Sequence, residues 1–292
     1  MDYIGRFAPS PTGPLHYGSL VAALASYLDA KHANGKWLLR IEDLDPPRES
    51  RTAPDEILIQ LGAFGLKWDD EVLFQSTRQR AYRTTLEQLD YLGATYACAC
   101  SRKSTPKIYP GTCRDLGLQP ARKVHAIRAR VPDVTASTID LHLGLQSWPL
   151  ATKVGDFIIR RKDGLFAYQL AVVVDDIFQS ITHIVRGIDL LDSTPRQIAL
   201  YQLLGIAPPQ YLHIPILVDK AGVKLSKQSH AKPVPTGSPE KTLRLALGDL
   251  GQNTQDHCHN ASHILSSAVN CWDRSLIPEH REITADSNFL SG

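Results

Sequence analysis

Three short stretches hold the residue types that bind phosphate or metal. In "RFAPSPTGPLHYGSL" (6–20) three prolines, two glycines and His16 stand between an apolar run and a helix-like one. A Gly/Pro turn that feeds a helix start offers backbone N–H groups and a positive dipole end to an anion. His16, Gly18 and Ser19 stand at that entry. The glycine lets a ligand approach the backbone, and the imidazole can donate to a phosphate oxygen as charge builds. In "GVKLSKQ" (222–228) Lys224 and Lys227 are spaced to close over a triphosphate. Either stretch alone is also what a plain strand–helix connection or a solvated basic loop looks like; their combination and order carry the weight. The third stretch is "CACSRKSTPKIYPGTC" (98–113), with Cys98, Cys100 and Cys113 close together. Such a group suggests a structural Zn²⁺ with four tetrahedral ligands, although Cys-x-Cys departs from the usual pair spacing. Tyr109, Asp115 and His125 are local candidates for the fourth ligand, histidine being preferred on general zinc chemistry. "HCH" (257–259) with His263 reads as a solvated polar tail rather than a second metal site.

The elements that must position these groups follow from periodicity. A strand over 3–8, a helix over 19–33 with Leu20, Val21, Leu24, Tyr27 and Leu28 on one face, and a strand over 36–43 make a βαβ unit, hence a parallel sheet. Asn34-Gly35 closes the helix. Further helices are expected from Pro54 to Gly65 and from Ser76 to Leu92. Residues 94–125 lack periodicity and read as an insertion. Strands resume over 124–131 and 156–161, with a turn at Lys162-Asp163-Gly164 and an apolar segment over 166–174. A strand over 183–187, a helix from Thr194 to Leu204 and a strand over 214–219 complete the pattern. After Ser238 the tail is expected to be a strandless helical appendage, poorly ordered from Glu279 onward. The expectation from the pattern is an α/β chain with a parallel sheet, an insertion over 94–125 that carries the cysteine cluster, and a tail over 238–292.

His16-Tyr17-Gly18-Ser19 and Lys224-Leu225-Ser226-Lys227-Gln228, in that order, resemble the two signature motifs of class I aminoacyl-tRNA synthetases. The longer segments "RFAPSPTGPLHYGS", "LLRIEDLD", "VVVDD" and "VRGIDLLDSTPRQ" look like the glutamyl branch of that class. Ser19 stands where the class often has histidine. The resemblance implies a Rossmann-like doubly wound parallel sheet, with a first catalytic half (1–93), a zinc-bearing insertion (94–125), the rest of the insertion with the second catalytic half (126–237) and a helical appendage and tail (238–292). It implies activation of L-glutamate by ATP with Mg²⁺, with His16, Gly18, Lys224 and Lys227 as catalytic residues and His16, Gly18, Ser19 and Lys227 at the nucleotide. It also implies a glutamate pocket of Arg6, Phe7, Ala8, Pro9, Ser10, Glu42, Tyr168 and Arg186. A substrate with two carboxylates and one ammonium agrees with that set, since it calls for a guanidinium and an acidic partner. A salt bridge from Arg186 to Asp175, Asp176 or Asp189 is the competing structural use of that arginine.

Within the branch, Cys-x-Cys…Tyr-x₃-Cys resembles the short glutamyl-queuosine tRNA(Asp) synthetase family. That likeness implies Cys98, Cys100, Tyr109 and Cys113 as zinc ligands, and queuosine in the anticodon of tRNA(Asp) as acceptor. The 65 residues after Lys227 (228–292) are fewer than an anticodon-binding domain needs, which points the same way. Arg102, Lys103, Lys107, Arg114, Arg122 and Lys123 are then candidate phosphate contacts. The rival expectations are a truncated glutamyl-tRNA synthetase that charges a 3′ end and an idle zinc-bearing RNA-binding module. A formal net charge of +2 neither demands nor excludes a nucleic acid. An odd count of five cysteines argues against a disulfide framework. With no signal-peptide pattern and no long apolar run, a cytoplasmic monomer away from membranes is expected.

Overall fold

The structure, a computed structural model, describes residues 2–101, 105–119, 125–225, 231–253 and 260–285. It opens with β1 (Ile4–Phe7), α1 (Tyr17–His32) and β2 (Lys36–Ile41), the two strands pairing in parallel as the βαβ pattern requires. Asn34 takes the left-handed conformation at φ 52°, and a Cβ on Gly35 would come within 2.4 Å of the Tyr3 carbonyl oxygen. Only glycine fits so tight a return. After α2 (Ala53–Ala63), β3 (Leu73–Phe74) adds in parallel to β2. Then come α3 (Gln79–Tyr91), β4 (Thr95–Cys98), β5 (Ala126–Ala129), the hairpin β6 (Thr135–Asp140) and β7 (Gly144–Pro149), the short α4 (Leu150–Lys153) and β8 (Ile158–Arg160). The second half holds α5 (Tyr168–Phe178), β9 (His183–Gly187), α6 (Thr194–Leu203), β10 (Gln210–Ile214) and β11 (Ile216–Val218). The chain continues through α7 (Pro239–Asp249), α8 (Ala261–Cys271) and β12 (Glu282–Thr284).

One sheet has the order β1-β2-β3 and another β7-β6-β10-β9, with β9, β10 and β6 mutually parallel. Thr182, just before β9, joins them: its N–H donates to the Ile4 carbonyl at 2.9 Å, and its hydroxyl accepts from the Ile4 N–H at 2.8 Å. The helices divide between two cores. Leu20, Leu24 and Leu28 of α1 pack with Trp37 and Leu39 of β2, Leu243 and Leu247 of α7, and Ile264 and Leu265 of α8. Tyr82 and Leu89 of α3, Leu170 and Val173 of α5, and Ile198 and Leu200 of α6 form the other core. Helices on both faces of a largely parallel sheet make a doubly wound α/β fold.

Two expectations need correction. Residues 94–125 are not wholly irregular: β4 pairs antiparallel with β5, which pairs antiparallel with β8. Nor is the tail strandless, since β12 adds in parallel to β11, and α7 and α8 cover α1 in the first core. The tail is also clamped electrostatically. Asp29 of α1, 1 % exposed, accepts from Trp272 Nε1 at 2.9 Å, from Arg274 Nε at 2.6 Å and from the Tyr3 hydroxyl. Among the described residues no helix is long and apolar enough to cross a membrane.

Candidate active site

A cavity of about 470 Å³ opens beyond the carboxyl ends of β1, β9 and β10. In an open parallel sheet such a crevice forms where consecutive crossover helices leave on opposite faces, here between β1 with α1 and β9 with α6. Its wall brings together Arg6, Phe7, Ala8, Pro9, Ser10, His16, Gly18, Ser19, Glu42, Tyr168, Arg186 and Lys224, which lie as far apart as 218 positions in sequence. Ser226, Lys227 and Gln228 lie outside the described residues. The chain on either side of them is tied to this wall. Leu225 N–H donates to the Leu217 carbonyl at 2.8 Å, Pro233 bridges to His16, and Val234 N–H donates to the Leu15 carbonyl at 2.8 Å.

His16 caps α1. Its Nδ1 accepts from the Ser19 N–H at 3.2 Å, which leaves the proton of a neutral ring on Nε2, 2.8 Å from Ser19 Oγ. Gly18 lies under the basic loop, where a Cβ would meet the His16 ring at 3.3 Å and the Leu225 carbonyl oxygen at 3.5 Å. Lys224 Nζ donates to Asp189 Oδ2 at 2.5 Å across the mouth.

Charge accumulates at the base of the cavity. Asp176 of α5 accepts from Arg6 Nε at 3.2 Å and from an Arg40 terminal nitrogen at 2.6 Å. Burial works the other way, yet the Arg40 and Arg6 guanidiniums hold Asp176 below the usual carboxylate range. Glu42 Oε1 is 4.0 Å from Arg40 Nε, and burial pushes its carboxyl up to about 7 against the pull of Arg40 and Arg6. Burial, followed by the Glu42 charge, raises the Tyr168 phenol. Arg186 makes none of the three salt bridges considered for it: among the described residues no carboxylate lies within 4 Å of its guanidinium. Motif reading names Asp176 and Asp189 only as possible partners of Arg186 and gives Arg40 and His213 no part; the structure places Asp189 in the cavity wall and Asp176, Arg40 and His213 behind it, against Arg6 and Arg186. The available signal was polar side chains inside apolar runs, such as His213 in "YLHIPI".

The cysteine cluster forms a second centre. Cys98, Cys100 and Cys113 bring their sulfurs within 4.8 Å of one another. Tyr109 Oη lies 3.5 Å from both Cys98 Sγ and Cys100 Sγ, while Cys100 and Cys113 sulfurs are 3.5 Å apart. A tetrahedral zinc with bonds of about 2.3 Å to sulfur and 2.0 Å to oxygen needs about 3.8 Å between sulfurs and about 3.5 Å from sulfur to oxygen. The donor set fits that ion. Asp115 and His125 do not join it; Asp115 pairs with Arg130 and His125 Nδ1 meets the Gln119 carbonyl at 2.7 Å. Burial raises the Tyr109 phenol, so a phenolate there requires a cation's charge. Arg128 donates to Cys98 Sγ at 3.2 Å, and its guanidinium lies 3.7 Å over the Tyr109 ring.

Of the basic residues expected to meet phosphate, Lys107 is exposed, whereas Arg114 is engaged, its Nε donating to Asp156 Oδ2 at 2.9 Å and a terminal nitrogen to Oδ1 at 2.5 Å. Arg102, Lys103, Arg122 and Lys123 lie outside the described residues, as do His257, Cys258 and His259.

A parallel-sheet crevice with a histidine-capped helix start and a lysine loop at its mouth defines the class I synthetase catalytic fold. The crystal structure of a glutamate-tRNA synthetase from Elizabethkingia anophelis superposes with a TM-score of 0.81 at 24 % identity, covering 98 % of this chain and 68 % of that one. Residues 4–107 and 117–242 match the family described as tRNA synthetases class I (E and Q), catalytic domain, and the chain belongs to it. Its relatives include the Glutamyl-Q tRNA(Asp) synthetase of Pseudomonas putida, 53 % identical over 289 residues, covering 95 % of this chain and 96 % of that one. The protein of the same name from Pseudomonas fluorescens is 50 % identical over 282 residues, covering 95 % and 94 %.

Proposed function

We propose that this protein activates L-glutamate with ATP and transfers it to queuosine in the anticodon of tRNA(Asp). The observation that carries this reading is identity of about half, over nearly the whole of both chains, to proteins named Glutamyl-Q tRNA(Asp) synthetase. The cavity has the matching chemistry. Arg6 and Arg186 offer guanidiniums to carboxylates, and Glu42 offers its charge to the ammonium group. A glutamate carboxylate oxygen then attacks the α-phosphorus of ATP and pyrophosphate leaves. His16 and the α1 N-terminus sit where phosphate charge develops, and Lys224 and Lys227 close over the triphosphate. Magnesium supplies charge neutralisation on the phosphates when it accompanies ATP. A hydroxyl of the queuosine cyclopentenediol takes the glutamyl group and AMP departs. Cys98, Cys100, Tyr109 and Cys113 would hold a structural zinc that fixes the strand end at β4. The setting is the cytoplasm.

The test is transfer of labelled glutamate, with ATP, to purified tRNA(Asp) with and without queuosine, the 3′ end being blocked in one arm. Label that requires queuosine and survives the block is the expected result. Label that ignores queuosine and disappears with the block would instead describe an enzyme that charges a tRNA 3′ end.

A further inference from the structure

Arg186 is held in an unusual way for a buried cation. Its Nε–H donates to His213 Nε2 at 3.1 Å, one terminal nitrogen donates to Gln197 Oε1 at 2.8 Å, and the other donates to Thr194 Oγ1 at 2.8 Å. Arg186, His213, Thr194 and Gln197 are each less than 5 % exposed. All three acceptors are neutral, so the guanidinium is oriented without being neutralised. Three of its five N–H bonds are spent, and one remains on each terminal nitrogen.

For His213 to accept at Nε2, its proton must sit on Nδ1, and the structure supplies the reason. Nδ1 lies 2.6 Å from Asp140 Oδ2. The other oxygen, Oδ1, accepts backbone N–H groups from Leu143 at 2.9 Å, His142 at 3.0 Å and His213 itself at 3.3 Å. Asp140 is therefore fixed in one orientation by three donors, with its free oxygen aimed at the imidazole. Burial lowers the His213 pKa against the pull of the Asp140 hydrogen bond and with the help of the Arg186 charge, the direction that favours a neutral ring.

We propose that Asp140 and His213 are positioning residues for the amino-acid substrate: Asp140 sets the His213 tautomer, and His213 turns the unneutralised Arg186 guanidinium toward a substrate carboxylate. The idea rests on the reading of the cavity as the glutamate site. It links β6, outside the first βαβ unit, to substrate selection, since an uncompensated guanidinium favours an anionic side chain over a neutral amide of the same shape.

Three variants test it. In His213→Asn the amide reaches Asp140 but not Arg186; in His213→Gln the amide oxygen can occupy the Nε2 position. In Asp140→Asn the three backbone donors keep the amide oxygen at the Oδ1 place, so an NH₂ group faces the imidazole. That reverses the tautomer, so the Nε2–H faces the Arg186 Nε–H and, among the described residues, has only Thr194 Oγ1, 3.2 Å away, to turn to. Calorimetric titration of the full chain with L-glutamate should show affinity at least tenfold weaker in H213N and D140N, about 1.4 kcal/mol. H213Q should recover most of the loss, and ATP affinity should change less than twofold. The ¹⁵N shifts of His213 should report the exchanged tautomer in D140N, a signal that mere loosening of the fold does not produce. Should H213N fail to fold, D140N carries the test. Wild-type protein that binds no glutamate would sink the proposed function itself. Wild-type binding with D140N unchanged, or with glutamate and ATP affinities falling together, would overturn the positioning role alone.

Discussion

Glu42 occupies a place where a carboxylate is costly to charge, and the cost has two readable consequences. Its folded-state pKa, about 7, lies above that of an exposed glutamate. A raised carboxyl contributes stability that is present below the unfolded pKa and lost as pH rises through the folded one. Glu42→Gln should therefore leave the melting temperature near that of wild type around pH 4.5 and exceed it at pH 8. In the same variant glutamate binding should collapse, because the ammonium loses its counter-charge. In the wild type, glutamate affinity should fall as pH drops below about 7; a flat profile from pH 5.5 to 8 would remove Glu42 from the site. Metal content gives a second residue-scale check. Cys98→Ser should lose bound zinc and the exposed Cys271→Ser should keep it, and full retention in the former would exclude Cys98 as a ligand. These residues were legible because motif spacing is local. His213 and Asp140 were not, because their meaning depends on a contact across 73 positions.

Elements with a local signature were read from the sequence nearly to the residue. The β1–α1–β2 unit has an amphipathic face and a left-handed stop; β9 and α6 are bounded by their own glycine and proline. β4 escaped because four residues acquire strand character only by pairing with β5 some thirty positions on. In α5, buried Val172, Val173 and Val174 mask the helical period, and three β-branched residues give no hint of helix. β12 needs β11, which lies far upstream. The same distinction changes the standing of Arg114. It holds Asp156, whose other partners are the Tyr96 hydroxyl and the Val131 N–H. Arg114→Ala should thus destabilise the β4–β5–β8 sheet by about 1–3 kcal/mol in urea unfolding, as removal of one partner from a buried carboxylate does. If stability is unchanged while tRNA affinity falls, Arg114 belongs with the phosphate-binding residues after all.

On the scale of the whole molecule, the cavity and the cysteine centre are separate features of one fold, and in the proposed function the acceptor enters the first while the basic residues that neighbour the cysteines in sequence meet its backbone. Neutralising Arg102, Lys103 and Lys107 together should weaken tRNA(Asp) binding and flatten its dependence on salt, by about 0.7–0.9 in logarithmic slope for each phosphate that no longer meets a cation. An unchanged slope would place the RNA elsewhere. The overall architecture was legible because alternating strand and helix patterns constrain a parallel sheet, whereas the way the tail folds back onto α1 was not, since nothing local in α7 or α8 names its partner. That return has a temporal side. Asp29 is made early in synthesis, yet Trp272 and Arg274, which satisfy its carboxylate, follow 243 and 245 positions later. While the chain is still emerging from the ribosome, the Tyr3 hydroxyl is the donor to Asp29 already made, and the two from Trp272 and Arg274 are still to come. Asp29 therefore gains its last partners only once Arg274 has been made, and that part of the stability of the βαβ unit arrives late in synthesis.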